Sequence, residues 1–379
     1  MSEKHKWIMI SFSFIIAFLL HLLLFATAPM ATLIMREMNL SYASVGFIFS
    51  AAMVSLIIFR LFWGFISDKV GYVKILKVAL PVSAVSAMLR GLSKSYIQLL
   101  FSQFFLGVGL AVVLPCLPLL VKEWFPEKPG FSTGIYISGF AIGNVTALGL
   151  TSYLLELTNW RTILLIYGFI ALILSVFWWI FAKSNLKTRS NIKLKNFIKL
   201  FKFKQVWILT FFLIASMGTY DTLATWMPKI LEMKGFNKVF SSFLPLGFFI
   251  AGPTTGFILD KVKSRKGFIA SLGLISFISI INLIYAPLSI LILCLFLAGF
   301  TSISMLTVSL TMPAEDKQLS PYAGSITGIV SSLGNIGPFI MPVIFGFLID
   351  VTGGFQASII TIAFLAGVTF TLGSKAFSN

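Results

Sequence analysis

The sequence predicts an all-α integral membrane protein of about twelve transmembrane helices in two pseudo-symmetric six-helix bundles. Three observations carry this expectation: an apolar composition, twelve apolar runs of spanning length, and a motif that occurs twice. Of the 379 residues, 58% are hydrophobic and 11% are charged, and the mean hydropathy is +0.98. A water-soluble domain carries roughly a quarter of its residues as charges. Lipid must therefore face most of this chain's outer surface.

The runs follow in order. A helix crosses a hydrocarbon core of roughly 30 Å with about twenty apolar residues, and in lipid each backbone polar group needs an internal partner. The first run, 7–33, follows Lys4 and Lys6. Its Ala26-Thr27-Ala28 imitates a signal-peptide cleavage site, but Pro29 follows and the run outlasts a signal segment, so it reads as the first span. Runs at 43–67, 74–93, 95–121, 131–155 and 162–182 complete a first set of six. The second set is 205–228, 239–259, 267–286, 288–312, 322–349 and 355–374. Between them lies the only long polar stretch, 183–204, with eight basic residues and no acid. The expected organisation is a bundle over 1–182, a basic cytoplasmic linker over 183–204 that can also touch anionic lipid, and a bundle over 205–379. Pro81, Pro115, Pro118, Pro245, Pro253 and Pro338 read as bends. Gly134, Gly139, Gly143, Gly324, Gly328 and Gly334, in spans five and eleven, read as surfaces for close helix approach.

An even number of spans puts both ends on one side. Twenty-one of the 29 basic residues fall on that side, seven on the other, and Arg60 lies within a span. The positive-inside bias places both termini in the cytoplasm, with the cell membrane as the expected location. The net charge of +17 is then topology signal and contact with membrane lipids, not a nucleic-acid footprint. Cys116 and Cys294 sit singly in apolar runs, and His5 and His21 are the only histidines. Neither a metal, a cofactor nor catalysis is expected from that set. No Gly-rich lysine loop for phosphate is present, which argues against direct use of ATP.

The repeat lies in two places. Gly64-Phe-Ile-Ser-Asp68-Lys69-Val-Gly71-Tyr-Val-Lys74 follows the second span, and Gly256-Phe-Ile-Leu-Asp260-Lys261 follows the eighth, 192 residues on. Gly143-Asn144 in span five matches Gly334-Asn335 in span eleven, 191 residues on. Six spans per half leave the halves parallel, related by an axis along the membrane normal. The first motif resembles the signature loop between helices two and three of the major facilitator superfamily, and the weaker copy sits where that family repeats it. The resemblance implies a monomeric secondary active transporter of a small molecule, working by alternating access, with a coupling proton or ion as a further partner. It also implies that Asp68 meets the start of span eleven near Pro321–Gly324, and that Asp260 meets the start of span five near Gly130–Gly134, latching the halves. The bland alternative is two ordinary loop charges. The chain departs from the family's exporters at Gln103, where many carry Arg before Gly107, and in span five, which lacks their Gly-Pro pattern.

Few ionisable residues lie inside spans, where they are costly and mark pathways or buried pairs. Arg60, eight residues before Asp68, lies roughly 12 Å from the cytoplasmic end. It can hold an anion by a forked contact or anchor the loop network. Asp221, beside Tyr220, is the only acid well inside an apolar run and can take up a proton, bind a cation or serve a gate. His21 sits near the middle of span one. Spans one and seven correspond, so a His21–Asp221 relationship is open, as is simple packing. Asn144 and Asn335 line the cavity or bond helices together. Gln103, Tyr136 and Trp226 complete the candidates, each with packing as its alternative. Arg60 and a single deep acid favour a small organic or inorganic anion as substrate. Glu123-Trp-Phe-Pro and Trp160-Arg161 resemble branches of the family that take up such anions. A proton-coupled exporter of drugs or other hydrophobic compounds would suit the forty Phe. A membrane enzyme or lipid-handling protein would need a polar catalytic cluster at one face, which the sequence does not display.

Overall fold

A computed structural model of the chain describes residues 3–127, 129–184, 200–261, 265–315, 318–319 and 323–373. All regular structure among them is helical. The spans in order are α1 (Glu3–Phe25) with α2 (Ala31–Met38); α3 (Tyr42–Val70); α4 (Tyr72–Leu92); α5 (Tyr96–Leu110) with α6 (Val113–Trp124); α7 (Pro129–Val145) with α8 (Thr151–Leu157); and α9 (Trp160–Phe181). They continue as α10 (Lys204–Met233); α11 (Phe243–Lys261); α12 (Arg265–Asn282); α13 (Leu288–Glu315); α14 (Ala323–Gly334) with α15 (Ile336–Thr352); and α16 (Gln356–Gly373). Among the described residues nine segments are long and apolar enough to cross a membrane, and three shorter apolar helices lie at Lys238–Gly252, Lys266–Asn282 and Gln356–Thr369. Together they make the twelve-helix arrangement that the apolar runs predict.

The first span runs to Met38, past the expected end at 33. Pro29 sits at the start of a short 3-10 turn, Ala28–Met30. A first-turn position needs no proline N–H, so the helix resumes as α2 and stops only at Asn39, which is left-handed (φ 51°). Span five also departs from regular helix, with a π-helical turn at Thr146–Leu150. Span eleven breaks at Asn335, between α14 and α15. Both irregularities follow a Gly-Asn pair of the repeat, and such turns displace the hydrogen-bond ladder locally.

The chain forms two compact units, Met1–Leu40 with Phe47–Asn191, and Ser41–Gly46 with Ile192–Asn379. The expected linker falls mostly on residues 185–199, outside the described residues. In the first unit α1 packs on α7, and α4 packs on α5 and α9. In the second, α10 packs on α15, and α12 packs on α13 and α16. These are the same span pairs, one with five, three with four and three with six, repeated six spans later. Ser55 Oγ donates to the Phe104 carbonyl (2.7 Å) between spans two and four, and Thr255 Oγ1 to Ser304 Oγ (2.7 Å) between eight and ten. The internal repeat therefore holds in the packing.

Glycine seams make the closest of these approaches. A Cβ on Gly139 would overlap the Phe14 carbonyl oxygen, and one on Gly143 the Phe18 carbonyl oxygen, both on α1. In the second unit a Cβ on Gly337 would overlap the Ile214 carbonyl on α10, and one on Gly334 would lie 2.5 Å from Leu213 Cδ2. Gly134 and Gly328 depart from the expectation, because no atom of the described residues lies within 4 Å of their Cβ positions. They occupy the same spans but face away from the seams. Both cysteines are buried and neither is in a disulfide bond.

Candidate functional site

In the first unit His21 lies on α1 against two rings, with centroids 4.9 Å from Phe140 of α7 and 5.7 Å from Phe25 one turn on along α1 itself. Tyr136 continues the row, 5.9 Å from Phe140. His21 also hydrogen-bonds the Phe140 backbone and lies within electrostatic reach of Arg60, which is half-buried on α3. His21, Tyr136 and Arg60 thus share one neighbourhood, while Asn144 is fully buried one residue beyond the Gly143 seam.

Gln103, a sequence candidate with packing as its alternative, has a partner that sequence did not indicate. Arg90 is 0% exposed although it stands two residues from the end of α4, where an arginine ordinarily reaches the interface. Its Nη1 donates to the Leu23 carbonyl (2.8 Å) and to Gln103 Oε1 (3.0 Å). Cβ bonds tilt toward the helix N-terminus, so the guanidinium reaches back into the bundle. Gln103 lies eight residues past the cap Ser95, roughly 12 Å along α5. Both acceptors are neutral, and no ion pair links Arg90 to a carboxylate among the described residues. The sequence signal that could have found it is an arginine flanked by Leu89 and Gly91 near the end of a predominantly apolar run.

The two short patterns that resemble anion-uptake relatives prove to be bolts at opposite ends of the first unit. Tyr72 donates its hydroxyl to Glu123 Oε2 (2.6 Å), Trp124 Nε1 donates to Tyr72 (3.0 Å), and Ser184 Oγ donates to the same carboxylate (2.8 Å). At the other end Glu37 accepts from Arg161 Nη2 (2.6 Å) and Trp160 Nε1 (2.8 Å). Arg161 Nη1 donates to the carbonyls of Gly91 (3.2 Å) and Ser93, tying α9 to the end of α4. An open hollow beside this bolt is lined by Arg36, Glu37, Glu156 and Trp160.

In the second unit Asp221 is 8% exposed on α10, among the buried Thr219, Tyr220, Thr222 and Thr225. Tyr220 packs on Phe248, with centroids 5.7 Å apart. Trp226 lies in the α10–α15 seam: Nε1 donates to the Pro342 carbonyl (3.0 Å) and the ring stacks on Phe345. Asn335 donates Nδ2 to the Ser331 carbonyl of its own span (2.8 Å). His21 and Asp221 belong to different units.

Of the loop motif, Gly71 holds φ 93° and ψ 142°, a conformation open to glycine, and turns the chain from α3 into α4 in one residue. Lys74 is exposed on the first turns of α4. The surroundings of Gly64, Asp68, Lys69, Gly256, Asp260 and Lys261 lie outside what the structure describes, as do those of Gly130 and residues 321–324. The latch contacts expected of Asp68 and Asp260 fall there.

The chain is 24% identical over 363 residues to the uncharacterized transporter YycB of Bacillus subtilis, covering 93% of this chain and 89% of that one. It is 24% identical over 375 residues to the probable sulfoacetate transporter SauU of Cupriavidus necator, covering 89% and 86%. Its fold matches the inward-facing, unoccupied structure of a bacterial homolog of the human lysosomal transporter Spinster. That match has a TM-score of 0.81 at 15% identity and covers 100% of this chain and 98% of that one. The family description Major Facilitator Superfamily matches residues 13–317. Together with the helical spans and the repeated packing of two units, that match identifies the chain as a multi-pass membrane transporter of the Major Facilitator Superfamily, not an enzyme.

Proposed function

We propose that this transporter is a secondary active carrier of a small organic or inorganic anion. Its two six-span units, over 1–182 and 205–379 and joined by the basic linker 183–204, alternate access to a central site in the cell membrane, with both termini cytoplasmic and the protein acting as a monomer. The observation that carries the substrate class is the charge imbalance inside the first unit. Arg90 is fully buried and Arg60 half-buried, whereas Glu37, Glu123 and Glu156 each stand one residue from a helix end and keep some exposure. A buried cation whose acceptors are neutral is costly, and an anionic solute offsets that cost while it is bound. Sulfoacetate, the named solute of the probable sulfoacetate transporter SauU, is of this class, which adds support. Asp221 is the acid positioned to couple transport to a proton or cation, with Tyr220 beside it. His21, Tyr136 and Asn144 in one unit, and Asn335 in the other, are proposed to shape the path. Gln103 supports Arg90. Trp226 holds its own seam. The motif Gly64, Asp68, Lys69, Gly71, Lys74 and its copy Gly256, Asp260, Lys261 are proposed to gate the cytoplasmic side.

Reconstitution into vesicles tests the reading. Labelled acetate, nitrate and sulfoacetate are offered with and without a pH gradient. Uptake of at least one is expected, reduced tenfold or more by Arg60→Gln and made independent of the gradient by Asp221→Asn. Absence of uptake of any anion, together with efflux of cationic dyes that survives Arg60→Gln, would overturn it in favour of an exporter.

A further inference from the structure

A guanidinium has five N–H donors. Arg90 uses Nη1 on the Leu23 carbonyl and Gln103 Oε1. Its Nε and Nη2 are buried and have no hydrogen-bond partner among the described residues, and the same is true of Gln103 Nε2 beside it. Thr27 Oγ1 is a third such group. Helical bonding runs on past Leu23, with Ala26 N donating to the Leu22 carbonyl (3.0 Å), and Thr27 keeps helical angles. Thr27 therefore lies one turn, about 6 Å, beyond Leu23 on the same face. Three helices, α1, α4 and α5, thus bring a fixed positive charge and a set of unspent donors to one buried place.

Donors without acceptors are rare in folded interiors, and each calls for an explanation. Among the described residues no carboxylate pairs with Arg90. The Nε–Nη2 edge of a guanidinium matches two oxygens of one carboxylate, sulfonate or nitrate group. We propose that Arg90, Gln103 and Thr27 form a binding site for a small anion within the first unit. Arg90 presents the Nε–Nη2 fork, Gln103 donates its amide from the side, and the Thr27 hydroxyl donates from the turn that follows α1. Leu23 and Gln103 Oε1 hold the guanidinium in that orientation. The site deepens the anion reading above and rests on it.

The shared chemistry is that of a small anion, whether a transported solute or a resident chloride. The full-length protein, purified in detergent in a chloride-free buffer, is titrated calorimetrically with acetate, nitrate, sulfoacetate and chloride in separate arms. Binding of at least one is expected, weakened at least tenfold by Arg90→Gln and several-fold by Gln103→Leu. Arg90→Lys is expected to fall between, because a point charge replaces the fork. Gel filtration and thermal unfolding check that each variant folds. Should Arg90→Gln not fold, Gln103→Leu and Thr27→Val decide, and unchanged affinity in both overturns the site. An affinity within twofold of wild type in a folded Arg90→Gln protein overturns it outright. If wild type still carries an anion in vesicles, the transport reading stands while the site falls. If wild type neither binds nor carries any anion, both fall. Arg90-dependent binding of chloride alone supports the site as the seat of a resident counter-ion.

Discussion

Gly143→Ala and Gly134→Ala form a matched pair in one span. Both replace glycine by alanine within α7, so both gain about 1 kcal/mol of helix propensity. They differ in what the new methyl meets. At Gly143 it overlaps the Phe18 carbonyl oxygen and lies 3.0–3.1 Å from the Phe18 carbonyl carbon and Cα, all backbone of α1. Backbone cannot rotate aside, so α1 and α7 must separate, and such overpacking costs about 1–3 kcal/mol. At Gly134 no atom of the described residues lies within 4 Å. The propensity gain cancels in the comparison, and the stability gap between the variants reads the clash directly, at about 1–3 kcal/mol. In thermal unfolding of detergent-purified protein, that corresponds to a gap on the order of 1–4 °C for a chain of this length, with Gly134→Ala at or above wild type. Equal melting temperatures for the two variants would show that α1 and α7 do not meet at Gly143, and the packing described for spans one and five would be wrong.

Trp226→Phe keeps the stacking on Phe345 but removes the bond to the Pro342 carbonyl. Stability is expected to fall by about 1 kcal/mol, and transport affinity measured in vesicles is expected to stay within twofold. Asp350 accepts from the backbone N–H groups of Tyr42 (2.9 Å) and Ala43 (2.7 Å) at the start of α3. Asp350→Ala is expected to cost about 1 kcal/mol as a lost helix cap, and Asp350→Asn much less, because one side-chain oxygen remains. Denaturant titration of the pair tests this. Arg161→Lys removes the fork that spans Glu37 and the Gly91 and Ser93 carbonyls. Because Glu37 is largely exposed, the loss should be modest, about 1 kcal/mol. Proteolysis between α4 and α5 is expected to quicken where that clamp is gone.

Hydropathy, the basic-residue bias and the offset between Gly64 and Gly256 are sums over many residues, and they survive ignorance of any single side chain. For that reason the solvent, the number of spans, the twofold repeat and the family were legible from sequence. The role of an individual polar residue was not, because it depends on which helix face a neighbour covers. Asn335 and Trp226 read alike as path candidates in the sequence, and only the structure shows that Asn335 bonds its own span while Trp226 bonds across the α10–α15 seam. Gly134 and Gly143 look alike in sequence, and only the approach of α1 to one of them separates their roles. Arg90 is the sharpest case. Near a helix end it has the position of an interfacial arginine, and only the convergence of α1 and α5 on α4 takes its charge out of solvent. The linear chain determined that lipid surrounds this protein and that its architecture is duplicated. Three-dimensional packing decided which charge is held inside, because burial is a property of neighbouring helices and not of the residue that carries the charge.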